Sequence, residues 1–127
     1  MNSKIIRTLR LILAAILIVF GVNKFFDFLP GSEEGLSQEA ADFMTTLMET
    51  GYSFKFIGVI EIFSGVLFLF NKWIPFALLV IAPISINIIL YHLALDIKGI
   101  LPGAIMFVII IILFYYNWER FKSLFEK

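Results

Sequence analysis

Residues 73–95 read WIPFALLVIAPISINIILYHLAL, and residues 99–118 read GILPGAIMFVIIIILFYYNW. Neither stretch contains Lys, Arg or Glu, and neither contains Asp. A helix rises 1.5 Å per residue and needs about 20 mainly apolar residues to cross roughly 30 Å of hydrocarbon. Both stretches reach that length outright. Their apolar residues run on without alternating, which argues against the strands of an outer-membrane barrel.

Working outward, two more apolar stretches precede these. Residues 11–29 are interrupted by Lys24 and Asp27, and residues 53–70 contain Glu61. These two can span a bilayer only if their polar residues are sheltered from lipid. The expected fold is an all-α membrane protein: a four-transmembrane-helix bundle forming one integral membrane domain over residues 1–127. Composition agrees. The chain is 61% hydrophobic, against about 45–50% apolar in an ordinary soluble domain, and its mean hydropathy is +0.97. A globule of 127 residues has too little interior to hide that excess, whereas a lipid bilayer supplies the missing apolar solvent.

The basic start (Lys4, Arg7, Arg10) and apolar middle of the first stretch resemble a secretion signal. The next residues are Val22-Asn23-Lys24-Phe25-Phe26, where cleavage needs small side chains, so the segment is read as retained. Orientation follows from Lys and Arg. Seven (Lys4, Arg7, Arg10, Lys72, Arg120, Lys122, Lys127) fall at one side of the predicted bundle and three (Lys24, Lys55, Lys98) at the other. Both termini are therefore expected in the cytoplasm. The outer loop from Pro30 to Tyr52 is predicted to hold a short amphipathic helix over about residues 37–50. Ser37 is its N-cap, Gly51 its stop, and Ala40, Phe43, Met44, Leu47 and Met48 its apolar face.

Several chemistries are excluded by composition. The net charge is zero, so no bulk basic field points to nucleic acid. Without cysteine there is no thiol relay, disulfide exchange or iron–sulfur ligation within this chain. A single histidine cannot build a multi-histidine metal or haem centre, and no metal site is expected. No phosphate-binding loop or nucleophile elbow appears, so no self-contained catalytic motif is evident.

What remains is polar residues in hydrocarbon, where a charge at a helix centre costs about 2.5–3.5 kcal/mol on insertion scales. Counting 1.5 Å per residue, Lys24 lies about 20 Å from the inner side, Asn87 about 21 Å, and Glu61 about 12 Å below the outer end. These depths nearly coincide, which predicts a polar layer in the outer half of the membrane, with Asn23 one residue from it. Gly58, Glu61 and Gly65 share one ridge of the second span, and small residues let another helix approach. Lys24 is expected to pair with Glu61, and Asn23 or Asn87 to complete the hydrogen bonding. Burial and a neighbouring ammonium act in opposite senses on a carboxyl's proton, so such a pair can tune a proton carrier; the plainer reading is a static pair that sets helix register. His92 and Asp96, four residues apart near the outer end of the third span, form a second candidate pair. There a carboxylate orients an imidazole that passes protons between the outer phase and the layer, or the two are simply a solvated helix end. Ser64 and Ser85 have no neighbouring base and are read as packing.

These residues resemble a known family. Phe20-Gly21-Val22-Asn23-Lys24-Phe25, followed by Pro30, is similar to the first-helix signature of DoxX-like membrane proteins. Gly58-Val59-Ile60-Glu61-Ile62-Phe63-Ser64-Gly65 resembles their second-helix motif, and Pro83, Asn87 and His92 resemble the polar positions of the third. The resemblance implies a bacterial-type inner-membrane protein whose candidate functional positions are Lys24, Glu61 and His92. Some relatives are associated with thiosulfate oxidation coupled to quinone reduction, others with redox homeostasis complexes. One position departs: many relatives carry a histidine before the first glycine, and this chain has Phe20.

Three functions are then open. The first is a redox-associated subunit that binds a quinone or similar amphipathic molecule at Lys24, Glu61 and Asn87, together with a membrane or periplasmic redox partner. The second is a small proton-coupled transporter or lipid-handling protein. The third is a non-catalytic assembly subunit that binds partners through the outer helix. The fourth span, with Ile109 to Ile112, faces either lipid or another protomer in a homo-oligomer.

Overall fold

The computed structural model describes residues 3–26 and 36–122. Asp27, Leu29, Pro30 and Lys127, which the sequence reading used, lie outside the described residues. Six α-helices follow in order: α1 (Ser3–Phe26), α2 (Gln38–Glu49), α3 (Ser53–Leu69), α4 (Ile74–Leu95), α5 (Ile100–Tyr116) and the short α6 (Trp118–Phe121), with a 3₁₀ turn at Ile97–Gly99. No strand occurs among the described residues. Three segments are long and apolar enough to cross a membrane: α1, α4 and the run from Ile97 through α5; counting α2 and α3 as one bent span makes four. The chain is an all-α membrane protein.

The buried stripes follow helical periodicity. Leu13, Ala14, Leu17 and Gly21 face inward from α1, Gly58, Glu61, Ser64, Gly65 and Phe68 from α3. From α4 come Ile74, Ala77, Leu78, Ile81 and Ser85, and from α5 Gly103, Met106, Ile109, Ile110 and Leu113. The outward faces are equally apolar: Leu90, Leu93, Val108 and Ile111 are all exposed. Without lipid such faces would be a large aggregation liability, so each helix is built to be apolar all round, as a bilayer requires. Ile109 and Ile110 belong to the core, whereas Ile111 faces out.

One difference from the expected spans matters. α1 begins at Ser3, not near Leu11, because the basic residues Lys4, Arg7 and Arg10 extend the same helix beyond its most apolar part. α3 has 17 residues, so at 1.5 Å per residue Glu61 lies about 12 Å from either end. The carboxylate therefore sits midway along α3, at the distance from the Ser53 end that the sequence predicts.

The turns have recognisable chemistry. α3 ends in a Schellman motif: Lys72 N–H bonds Leu67 O at 3.0 Å and Asn71 N–H bonds Phe68 O at 3.3 Å. Asn71 takes the left-handed conformation (φ 56°) that this motif needs and that Asn tolerates. α2 is capped by Ser37, whose hydroxyl accepts from Ala40 N–H at 3.2 Å and donates to Leu95 O at 2.8 Å. The cap thus also ties α2 to the end of α4. Phe43 stacks on Tyr91 at 5.4 Å between ring centres. Gly51, at φ +81°, lets the chain turn by 86° from α2 into α3. α2 consequently lies across the end of the bundle near Lys24.

Candidate functional site

The site is built on the seam between α1 and α3, which run antiparallel and pack along most of their length. Glycine makes the approach close. A Cβ on Gly65 would lie 2.7 Å from Ile18 Cγ1 and 3.2 Å from Ala14 O. A Cβ on Gly21 would lie 2.7 Å from Ile62 Cγ1 and 2.9 Å from Gly58 O. Contacts below 3.0 Å force something to shift: at Gly21 the backbone of α3 as well as Ile62, at Gly65 at least the Ile18 side chain. Gly58 has a different task. A Cβ there would lie 3.1 Å from Gly21 O and 3.2 Å from Lys24 Cβ. Because Gly58 presents no side chain, the Lys24 stem can lie against α3 and reach Glu61 in the next turn.

Lys24 Nζ stands 2.6 Å from Glu61 Oε1, with the lysine side chain 17% exposed and the glutamate 2%. Near a helix end a lysine usually extends its ammonium outward to water. Here it turns inward. The ammonium also lies 5.5 Å from the centre of the Phe54 ring, within the range of a cation–π contact. At that separation the ammonium and the carboxylate oxygen are within reach of a charge-assisted hydrogen bond. Asn23, next to Lys24 on α1, is half-buried.

Two serines join this interior. Ser64 and Ser85 are fully buried, and neither hydroxyl has a hydrogen-bond partner among the described residues. Helical Ser and Thr ordinarily donate back to the carbonyl four residues earlier, as Thr8 does to Lys4 O and Thr46 to Asp42 O. Ser64 and Ser85 do not. A buried hydroxyl left in that state costs about 1–3 kcal/mol. Measured from the ends of α3 and α4 at the Lys24 side, Glu61, Ser85 and Ser64 lie about 12, 15 and 17 Å deep. Two unpartnered hydroxyls and an ion-paired carboxylate thus occupy one band of the bundle interior.

Asn87 does not belong to it. The residue is exposed, and its amide donates to Pro83 O on its own helix at 3.1 Å. Depth was the only coordinate used to place it; angle decides otherwise. Ser85 lies on the buried stripe of α4, and Asn87, two residues on, is turned about 200° away from it. The serine set aside as packing is the inward polar residue of α4.

His92 and Asp96 form a separate pair. His92 Nδ1 lies 3.0 Å from the Asp96 carbonyl oxygen and 3.5 Å from Asp96 Oδ2. Because a carbonyl only accepts, this bond requires the proton on Nδ1. The pair packs against the 3₁₀ turn, where a Cβ on Gly99 would lie 2.6 Å from Asp96 Oδ2. No hydrogen bond or ion pair joins it to Lys24 or Glu61 among the described residues. No group of three His, Asp or Glu side chains among those residues is arranged to hold a metal.

At the opposite end of the seam, Arg10 Nη1 donates to the Phe68 carbonyl and, at 3.2 Å, to Leu69 O. These carbonyls lie in the last turn of α3, where Phe68 O also accepts from Asn71 N–H. The sequence reading counted Arg10 only as an orientation charge.

The DoxX family model matches residues 5–94. The chain belongs to the DoxX family. The matched segment contains Lys24, Glu61, Ser64, Ser85 and His92, so every member of the buried layer falls inside the DoxX part of the chain, while Asp96 and all of α5 fall beyond it. No curated protein and no solved structure matches the chain.

Proposed function

We propose that this DoxX-family protein is a redox-associated membrane subunit that binds the headgroup of a quinone-like amphipathic molecule at Lys24, Glu61, Ser64 and Ser85. The observation that carries this reading is the pair of buried serine hydroxyls without hydrogen-bond partners among the described residues, in the same interior as an inward-turned ammonium and its carboxylate. A quinone headgroup is flat and apolar with two carbonyl acceptors, and a few convergent polar groups in an apolar interior suit it. The ammonium and the serine hydroxyls supply donors to those carbonyls. Glu61 holds a proton for the reduced form, and the electrons come from a membrane or periplasmic redox partner. Glu61 is 2% exposed, and neither described cavity touches it, so binding requires the helices to part along the seam.

In this reading the protein is one integral domain of a bacterial inner membrane with both termini in the cytoplasm. The start of α1, the α3–α4 turn and the α5–α6 junction surround one cavity; Lys4, Arg7, Arg10, Lys72, Arg120 and Lys122 belong to these segments, and their gathering at one end supports a cytoplasmic assignment for it under the positive-inside rule. His92 and Asp96 lie at the other end, near α2, and are candidates for proton exchange with the outer phase.

The test is extraction of quinone from protein purified in mild detergent, with rebinding of a short-chain quinone to the stripped protein. Wild type is expected to retain or rebind it and Glu61→Gln to lose it. A well-folded wild type that does neither contradicts the proposal. A proton-coupled transporter is the second reading, favoured by the sheltered carboxylate of Glu61, since ionisable residues inside a membrane bundle mark ion and proton paths. Proton-driven uptake into liposomes, abolished in Glu61→Gln, would select it.

A further inference from the structure

The end of the bundle away from Lys24 holds a cavity of about 330 Å³. Arg7 and Arg10 line it from α1, and Arg120 from α6. Its deeper wall is apolar, with the buried Ile6 and Leu113, and Tyr116 stands at its side. None of the lining residues is acidic. Among the described residues no carboxylate pairs with any of the three arginines: Glu119, beside Arg120 in sequence, is bonded instead to Lys122 at 3.2 Å.

Basic residues at helix ends are expected on topological grounds alone. That requirement is met by side chains pointing anywhere into water. Here three guanidinium groups from opposite ends of the chain converge on one space. Like charges repel, and no carboxylate among the described residues neutralises them. Arg10 is held in place by the Phe68 and Leu69 carbonyls. Arg7 and Arg120 are exposed and have no hydrogen-bond partner among the described residues, so their planar forks are available for an oxyanion. The cavity therefore has a cationic mouth, an apolar wall and an aromatic side, and it lies at the level where a bilayer presents its headgroups.

From this we propose that the cavity binds the phosphate group of an anionic membrane phospholipid, with the glycerol and upper acyl portion against Ile6 and Leu113. This site is independent of the buried Lys24–Glu61 layer and of the quinone reading.

Native mass spectrometry of the full chain in detergent tests it, with dioleoyl-phosphatidylglycerol and dioleoyl-phosphatidylcholine as probes and inorganic phosphate as a third. Wild type is expected to bind the glycerol lipid about tenfold or more tightly than the choline lipid, in line with the usual contribution of two surface arginines. Arg7→Gln/Arg120→Gln is expected to bind both lipids alike while retaining the helical spectrum of wild type. Equal affinity of wild type for the two lipids overturns the proposal and needs no variant to fold. So does an unchanged lipid preference in the double variant. Inorganic phosphate binding as tightly as the glycerol lipid would overturn the lipid assignment and give the cavity to a free anion. Arg7→Lys/Arg120→Lys, which keeps charge but not the fork, is expected to fall between wild type and the Gln variant; full wild-type preference there would contradict recognition by the guanidinium forks.

Discussion

Lys24 and Arg10 project from the same helix onto the same neighbour, α3, and each meets a different solvent. Lys24 turns inward to a carboxylate that water barely reaches. Arg10 reaches the carbonyls that end α3, at the rim of a cavity lined by two more arginines. In the first case the protein provides the counter-charge, because a lone ion in hydrocarbon is untenable. In the second it provides only backbone acceptors, and the remaining positive charge is left for water or a bound anion. A charge at a helix end can be left to water, whereas a charge in the seam constrains the residues around it, including the glycines.

Substitutions along the seam should therefore cost in proportion to how dry their surroundings are. The largest loss is expected for Lys24→Met, which strands Glu61 in the interior: about 3–5 kcal/mol, the usual result of breaking a buried pair from one side, read as a fall in the unfolding midpoint in detergent. Next comes Gly65→Leu, where overpacking against Ile18 and Ala14 should cost about 1–3 kcal/mol. A Gly65→Leu protein as stable as wild type would show that the two helices are not in contact there. Arg10→Leu should cost only about 1 kcal/mol, since water can replace the guanidinium at the α3 carbonyls. The smallest effect is expected for Asn87→Leu, within about 0.5 kcal/mol of wild type, because its amide serves only its own helix. A large loss there would return Asn87 to the polar layer and break the contrast between inward and outward faces.

How much of this was legible without coordinates differs from residue to residue. The spans were readable because a bilayer demands long apolar runs, and the order of those runs sets which helices are antiparallel. Lys24 and Glu61 were readable as a pair because each is costly alone and their depths agree. The cap at Ser37 and the stop at Gly51 carried their own turn chemistry. Asn87 and Ser85 were interchanged because depth along a helix is set by sequence position, while the inward angle depends on where a neighbouring helix packs. The bounds of the second span were readable almost to the residue, because the bend at Gly51 and the Schellman motif at Asn71 fall where its apolar run begins and ends. The arginine cavity was invisible because Arg7, Arg10 and Arg120 meet only once the two ends of the chain are packed side by side.

The claim on which the site rests is that Lys24 and Glu61 act as one unit in the dry interior. A double-mutant cycle with Lys24→Met and Glu61→Leu, read by reversible unfolding in detergent, measures that coupling directly. The account predicts that the double variant is at least about 2 kcal/mol more stable than the two single losses combined, since an apolar replacement leaves no stranded charge. Single losses that add to within about 0.5 kcal/mol would contradict it.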